Sequence, residues 1–139
     1  LIELLVVIAI IGVLAGLLMV NFIGVRQRAR DGTRKSNLSQ IQSALELYRS
    51  DQGGYPSSPL PACGSQLASG GVTYMQKIPC DPLNTGQHVY TYDITGGCAG
   101  GYCLYSCLEN VNDSQKDSAN NATYCTGGTS NWSFTVTNP

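Results

Sequence analysis

The sequence contains few of the residues that most enzymes use for acid–base or metal chemistry. His88 is the only histidine among 139 residues, which rules out most mechanisms that need a pair of histidines. No two of the cysteines have the C-x-x-C spacing, which disfavours a zinc site and excludes a covalently attached haem. The paired glycines at 96–97 and 100–101 fit a turn better than a phosphate-binding loop. We therefore predict neither an enzyme nor a bound cofactor.

Charge is almost absent from the first 25 residues. Residues 1–20 are apolar except for Glu3, and the first cation is Arg26. Such a run can cross a bilayer as a helix of about 30 Å. A carboxylate that lies deep and unpaired in such a helix costs about 2.5–3.5 kcal/mol or more. Since no cation lies near Glu3 in the sequence, we predict that its partner is on another molecule and that the chain assembles through its membrane-stored N-terminus.

Helical spacing continues beyond the apolar run. The apolar positions on one helical face are Leu38, Ile41, Leu45 and Tyr48, with Val25 and Ala29 as a candidate extension. Gly53 and Gly54 end this pattern, and Pro56 opposes its continuation. We predict one helix of about 50 residues. Residues 1–25 form its hydrophobic arm and residues 26–52 its amphipathic half. Residues 53–139 form a globular head.

The head carries patterns typical of short strands joined by loops. Alternating aromatic and β-branched residues predict strands at 88–95, 102–109 and 132–137. The glycine-rich segment 96–101 is predicted as a turn, 110–130 as a long polar loop, and 66–77 as a short helix interrupted at Gly70-Gly71. The fold class is therefore α+β, with the amphipathic half of the helix covering one face of an antiparallel sheet of about three strands.

Cysteines occur only in the head. They are Cys63, Cys80, Cys98, Cys103, Cys107 and Cys125. An even number in a small domain beyond a membrane anchor is typical of three disulfides in an oxidising compartment. Six cysteines allow about 15 connectivities. We favour pairing them in sequence order. Cys63–Cys80 would then close one loop, Cys98–Cys103 would cross-link one turn, and Cys107–Cys125 would attach the long polar loop to a strand.

The charges are divided between a basic band and an acidic head. Residues 26–35 carry five cations and one carboxylate, whereas residues 36–139 carry three cations and seven carboxylates. Such a band could attract nucleic acid or lipid. We interpret it instead as a solvated or subunit-facing side of the helix, because no aromatic residues alternate with its cations to form a stacking platform. Nearby oxygen ligands make Asp113 and Asp117 a weak calcium candidate, but Lys116 lies between them and Ca²⁺ needs six to eight oxygens.

The N-terminal segment LIELLVVIAIIGVLA resembles the mature N-terminus of type IV pilins and of type II secretion pseudopilins. A second resemblance, to the major pseudopilin and related pilins, includes LSQIQSALELY from Leu38, Gly54-Tyr55-Pro56 and Ile78-Pro79-Cys80. The N-methylated Phe and small residue that usually precede this Leu are absent, as is the leader peptide, so we interpret the sequence as a processed form. The family usually has Pro where this chain has Val20, and Gly12 and Gly16 are then the candidates for helix loosening.

The resemblance implies a pilin fold and a structural function. The expected role is the major subunit of an extracellular type IV pilus, which serves adhesion or motility. Such a subunit is stored in the cytoplasmic membrane, processed by a leader peptidase and built by assembly machinery into a helical filament of identical copies. The alternatives are a pseudopilin of type II secretion and, from another class, a membrane-anchored monomeric adhesin or binding module. Glu3 disfavours the last of these, because a plain anchor has no use for a carboxylate there.

Overall fold

A computed structural model of the chain describes residues 1–95, 98, 101–127 and 130–139. In chain order its elements are helix α1 (Ile2–Gln52) and strands β1 (Leu67–Ser69), β2 (Val72–Met75), β3 (Thr91–Asp93), β4 (Cys103–Leu108) and β5 (Trp132–Thr137). The predicted α+β fold class is confirmed. Strand β5 has the predicted bounds, and β3 and β4 are shorter than predicted. The predicted turn at 96–101 falls largely on residues 96, 97, 99 and 100, which lie outside the described residues.

Helix α1 is continuous through the hydrophobic arm and the amphipathic half. It has 51 residues, so it is about 75 Å long at the usual rise per residue. The helix ends at Gly53, which has a left-handed backbone (φ 77°) and donates its N–H to the Arg49 carbonyl at 2.9 Å. Glycine adopts that conformation without the steric cost of a Cβ. The predicted helix end is therefore confirmed.

The predicted short helix at 66–77 is wrong, because this segment forms a β hairpin. Strands β1 and β2 are antiparallel, and Ser69 pairs with Val72 across the turn. Both turn residues have left-handed backbones, with φ 59° at Gly70 and 81° at Gly71. Two consecutive left-handed residues are what a type I′ hairpin turn requires. The glycine pair thus marks the turn of a hairpin and not an interruption in a helix.

Strand β4 is the centre of a three-stranded antiparallel sheet in the order β3-β4-β5. All six of its residues are buried, because both faces of the sheet are covered. On one face Leu104 packs with Leu38, Ile41 and Leu45 of α1. On the other face Tyr105 stacks on Tyr124, with ring centroids 4.3 Å apart. The long loop after β4 therefore forms a third layer over the sheet.

The buried face of α1 agrees with only part of the predicted apolar stripe. Leu38 and Leu45 are fully buried, but Val25 is 58% exposed and Ala29 is also exposed. The N-terminal extension of the stripe is therefore wrong. Helical steps back from Leu38 lead to Arg34 and Asp31, which are the buried positions.

The free edge of β5 is closed by side chains of the long loop. The Asp117 carboxylate accepts the Thr135 N–H at 2.9 Å, and the Asn120 amide oxygen accepts the Ser133 N–H at 2.9 Å. The Asp117 N–H donates to the Ser133 carbonyl at 3.0 Å. A sheet edge whose backbone groups are already paired is a poor template for another strand. This edge of the head therefore opposes polymerisation by strand addition.

Candidate assembly interface

The described side chains of the hydrophobic arm are exposed from one end of the arm to the other. Leu4 is 70%, Leu14 55% and Leu18 71% exposed. Within the described residues α1 is the one helix long and apolar enough to cross a membrane, and no part of its most apolar window is buried in the chain. A soluble monomer rarely exposes such a large apolar surface. The arm is therefore a surface for a membrane or for other protein chains.

Glu3 lies in the first turn of α1 and is exposed. A carboxylate in that turn interacts favourably with the positive end of the helix dipole. No ion pair in the described part of the chain includes Glu3. The assembly role predicted for this carboxylate therefore concerns a second molecule and stays a prediction.

Gly12 and Gly16 lie within the unbroken helix of the single chain. A Cβ added at either position would meet no atom within 4 Å. Packing inside the chain therefore does not require glycine at these positions. Their predicted role as sites of helix loosening applies to the assembled state and stays a prediction.

A cluster of buried and half-buried charges joins α1 to the head just beyond the arm. We call it the junction cluster, and its members are Arg30, Asp31, Arg34, Asp81 and Glu109. The Arg34 side chain is 0% exposed and donates to Asp81 from Nε at 2.7 Å and from Nη2 at 3.0 Å. Its Nη1 donates to Asp31 at 2.7 Å and to Glu109 at 2.8 Å. One guanidinium thus binds three carboxylates from the helix, a loop and the end of β4.

The other members of the junction cluster attach the helix to the end of β4. Arg30 donates to both carboxylate oxygens of Glu109, at 2.6 and 2.7 Å. The Asp31 carboxylate accepts the backbone N–H groups of Glu109 at 2.9 Å and of Asn110 at 2.8 Å. Bidentate and charge-assisted hydrogen bonds are among the strongest in proteins. These contacts hold the head at one register along α1.

Contacts within the junction cluster shift the pKa values of Glu109 and Arg34. Hydrogen bonds from Arg30 and then from Arg34 lower the pKa of Glu109 to about 2, against the opposing effect of burial. Burial by itself lowers the pKa of Arg34, but hydrogen bonds to Asp81, Glu109 and Asp31 raise it above the ordinary value. Glu109 and Arg34 therefore stay charged at neutral pH. Removing one partner would leave a buried charge without compensation.

The interpretation of the basic band as a solvated or subunit-facing side of the helix is wrong for three of its five cations, because these bind the head of the same chain. Arg30 and Arg34 bind head carboxylates, and Lys35 donates to both oxygens of Asp113 at 2.6 and 2.7 Å. Arg26 and Arg28 are exposed. The sequence did contain a signal for the buried pair, because Asp31 and Arg34 lie on the same helical face as Leu38. The acidic partners lie too far along the chain to be read from that pattern.

The weak metal candidate at Asp113 and Asp117 is not supported. Asp113 pairs with Lys35. Burial by itself raises the pKa of Asp113, but hydrogen bonds from Lys35 and the Gln115 N–H lower it below the ordinary value. The Asp117 carboxylate accepts the Ser133 hydroxyl at 2.7 Å besides its contacts to Thr135. Among the described residues no three His, Cys, Asp or Glu side chains are grouped to hold a metal ion. Donors from the protein thus occupy both carboxylates.

The cysteines form three disulfides in sequence order. The pairs are Cys63–Cys80, Cys98–Cys103 and Cys107–Cys125. These are the pairs favoured from the positions of the loops. The third pair attaches the long loop to β4, and this loop supplies both Tyr124 on the outer face and Asp117 at the edge of β5. The disulfides thus stabilise a head whose core is small.

Comparison with known families agrees with this architecture. Residues 21–123 match the family of the type II secretion system protein G. The chain belongs to this family. The protein G family consists of pilin-like structural subunits and not of enzymes, so the chain is a pilin-like structural subunit with an apolar N-terminal helix.

Individual relatives include both secretion and pilus proteins. The type II secretion system core protein G of Pectobacterium carotovorum subsp. carotovorum is 33% identical, over 63% of this chain and 67% of its own length. That of Escherichia coli (strain K12) is 30% identical, over 63% of this chain and 72% of its own length. The type IV wide pilus major component PilA4 of Thermus thermophilus is 32% identical, over 75% of this chain and 67% of its own length. No solved structure matches the chain significantly.

Proposed function

We propose that the chain is the repeating subunit of a pseudopilus, the short filament of a type II secretion system. The observation that carries this proposal is the exposed hydrophobic arm, in a chain of the protein G family. The sequence alone favoured an extracellular pilus. The family match and two of the three relatives described above favour secretion instead.

In this proposal the arm is exchanged from lipid into a bundle of neighbouring arms. Lipid tails and leucine side chains are similarly apolar, so burial alone contributes little to this step. Close packing and the pairing of Glu3 with a neighbouring chain supply the remaining stabilisation. The β5 edge of the head contributes little to polymerisation by strand addition, because Asp117 and Asn120 close it.

The junction cluster lets arm and head move as one body during this exchange. The cluster binds the helix at Arg30, Asp31 and Arg34, directly after the arm. Movement of the arm along the filament axis is therefore transmitted to the head without sliding. A subunit that pushes cargo needs such a rigid connection.

The second candidate is the subunit of an extracellular type IV pilus. The match to the wide pilus component covers 75% of this chain, a larger share than the matches to the two secretion proteins. In both candidates the chain begins in the cytoplasmic membrane. It then enters a periplasmic filament in the first candidate and a cell-surface filament in the second.

Deletion of the gene in its own cell separates the two candidates. For a pseudopilin we expect the proteins normally released to the medium to accumulate inside the cell, with long surface filaments unchanged in electron micrographs. For a pilin we expect the long surface filaments to disappear, with release of proteins to the medium unchanged. Complementation with the unaltered gene is the control. A deletion that changes neither secretion nor surface filaments contradicts both candidates.

A further inference from the structure

We propose that Arg26 and Arg28 bind the phosphate groups of anionic lipids while the chain is stored in the membrane. The proposal rests on the membrane-stored state of the proposed function. It adds the lipid class and the residues that recognise it. Both side chains are exposed, and neither forms an ion pair within the part of the chain that the structure describes.

The head leaves these two arginines free by binding the other cations of the basic band. Arg34 is fully buried on Asp81, and Arg30 binds Glu109 at 2.6 Å. Lys35 binds Asp113. The band thus divides at about residue 29. The cations after this position are bound to head carboxylates, and the two cations before it are available to an anion outside the chain.

The length of the arm places Arg26 at the membrane surface. Residues 4–25 carry no charge, and as a helix they extend about 33 Å, close to the thickness of about 30 Å typical of a hydrocarbon core. The same length puts Glu3 at the opposite surface. An arm inserted to bury residues 4–25 therefore brings Arg26 and Arg28 to the level of the lipid headgroups.

The local geometry also suits a membrane interface. The Arg26 guanidinium lies over the Phe22 ring, 4.6 Å from its centroid. Long basic side chains near the end of an apolar helix are typical of the interfacial region. The ring lies toward the hydrocarbon side of the cation, because Phe22 precedes Arg26 by one helical turn.

Lipid is favoured over a protein partner because the two arginines point to different sides of the helix. Residues two apart on a helix do not share a face. Before assembly, a single docked protein chain would contact one face and reach one of these cations. Lipids surround an inserted helix completely and reach both. Anionic lipid surfaces attract each nearby cation with about 1 kcal/mol, or roughly fivefold in association.

The test uses the full chain in phosphatidylcholine bilayers with trace spin-labelled phosphatidylglycerol or spin-labelled phosphatidylcholine. The motionally restricted fraction in electron spin resonance spectra gives the relative association of each lipid with the chain. We expect phosphatidylglycerol to be favoured about fivefold or more at low ionic strength, with a smaller preference as salt is added. The double variant Arg26→Gln/Arg28→Gln should lose the preference.

The matched control is Arg49→Gln, which removes an exposed arginine at the far end of α1, where its side chain is 53% exposed. This variant should keep the preference. Equal association of the two lipids with the unaltered chain, or an undiminished preference in the double variant, overturns the proposal. So does a double variant that keeps its lipid preference and loses filaments, because that result assigns the arginines to subunit contacts. If neither lipid is restricted, the chain is not inserted, and the membrane-stored state itself fails.

Discussion

Arg34 and Asp81 form a two-point ion pair in which both side chains are 0% exposed, with Nε–Oδ2 at 2.7 Å and Nη2–Oδ1 at 3.0 Å. The two residues are 47 positions apart in the chain. Asp81 also accepts the Leu83 N–H at 2.9 Å, so the carboxylate fixes its own loop as well as the helix. This pair is the centre of the attachment between helix and head.

Arg34→Met should destabilise the head strongly. The variant leaves three carboxylates around a neutral side chain, and breaking a buried ion pair from one side typically costs about 3–5 kcal/mol. The free energy of unfolding can be measured in detergent by denaturant titration, with Trp132 fluorescence as the probe. Arg28→Met is the matched control and should change this free energy by less than about 0.5 kcal/mol. Similar stability of the two variants would contradict the role of the junction cluster.

The stability of the head should fall in acid partly through Glu109. Its pKa in the folded chain is lowered from 4.5 to about 2. The stabilisation from this group is therefore complete above about pH 4.5 and is lost as the pH falls toward 2. The variant Glu109→Gln has no carboxylate to protonate at this position, so it cannot lose this stabilisation in acid. Denaturant titrations between pH 5 and pH 2 should show a steeper decline for the unaltered chain than for the variant, and parallel curves would exclude the predicted contribution.

The Cys107–Cys125 disulfide should stabilise the head more than the Cys98–Cys103 disulfide. The sequence separations are 18 and 5 residues, and in the chain-entropy model a loop of about 15 residues contributes about 3 kcal/mol and shorter loops contribute less. Cys107→Ala/Cys125→Ala should lower the denaturant midpoint further than Cys98→Ala/Cys103→Ala. The far-UV helical signal of the arm should persist in both. Equal denaturant midpoints for the two double variants would contradict the chain-entropy model for this head.

Glu3→Ala should prevent filament assembly without preventing membrane insertion. The family resemblance implies that Glu3 accepts a charge-assisted hydrogen bond from the N-terminal amine of an adjacent subunit. Alanine removes the acceptor and leaves the apolar arm in place. Filaments are counted by electron microscopy and insertion by membrane fractionation. Glu3→Gln preserves the size of the side chain and separates the effect of charge from that of volume. Normal filament numbers with Glu3→Ala would contradict the prediction.

The helix of the arm should loosen between Gly12 and Asn21 when filaments form. Each glycine weakens the helix by about 1 kcal/mol relative to alanine, and neither Gly12 nor Gly16 is required by contacts within the chain. A filament structure should show interrupted i to i−4 hydrogen bonds in this segment. Gly12→Ala/Gly16→Ala should restore them. Continuous helical bonding from Leu4 to Val25 in the unaltered filament would disprove this.

Local patterns determined much of the architecture. The uncharged run, the 3.6-residue spacing and Gly53 led to one long helix with an apolar arm and a defined end. Alternation of aromatic and β-branched residues located β5, and the order of the cysteines matched the disulfides. These features depend on neighbours along the chain, so they can be predicted from the sequence. The hairpin at Gly70-Gly71 also depends on neighbouring residues, but we predicted an interrupted helix there.

Contacts between distant residues were decided only by the tertiary structure. Composition shows that residues 26–35 are basic, but not which cations remain free. Burial of Arg34 required Asp81 and Glu109, which lie 47 and 75 residues away. The closure of β5 by Asp117 likewise depends on how the long loop folds back over the sheet. The sequence thus determined where the charges lie along the helix, whereas the packing of the head decided which of them are neutralised, because an ion pair depends on distance in space and not on spacing along the chain.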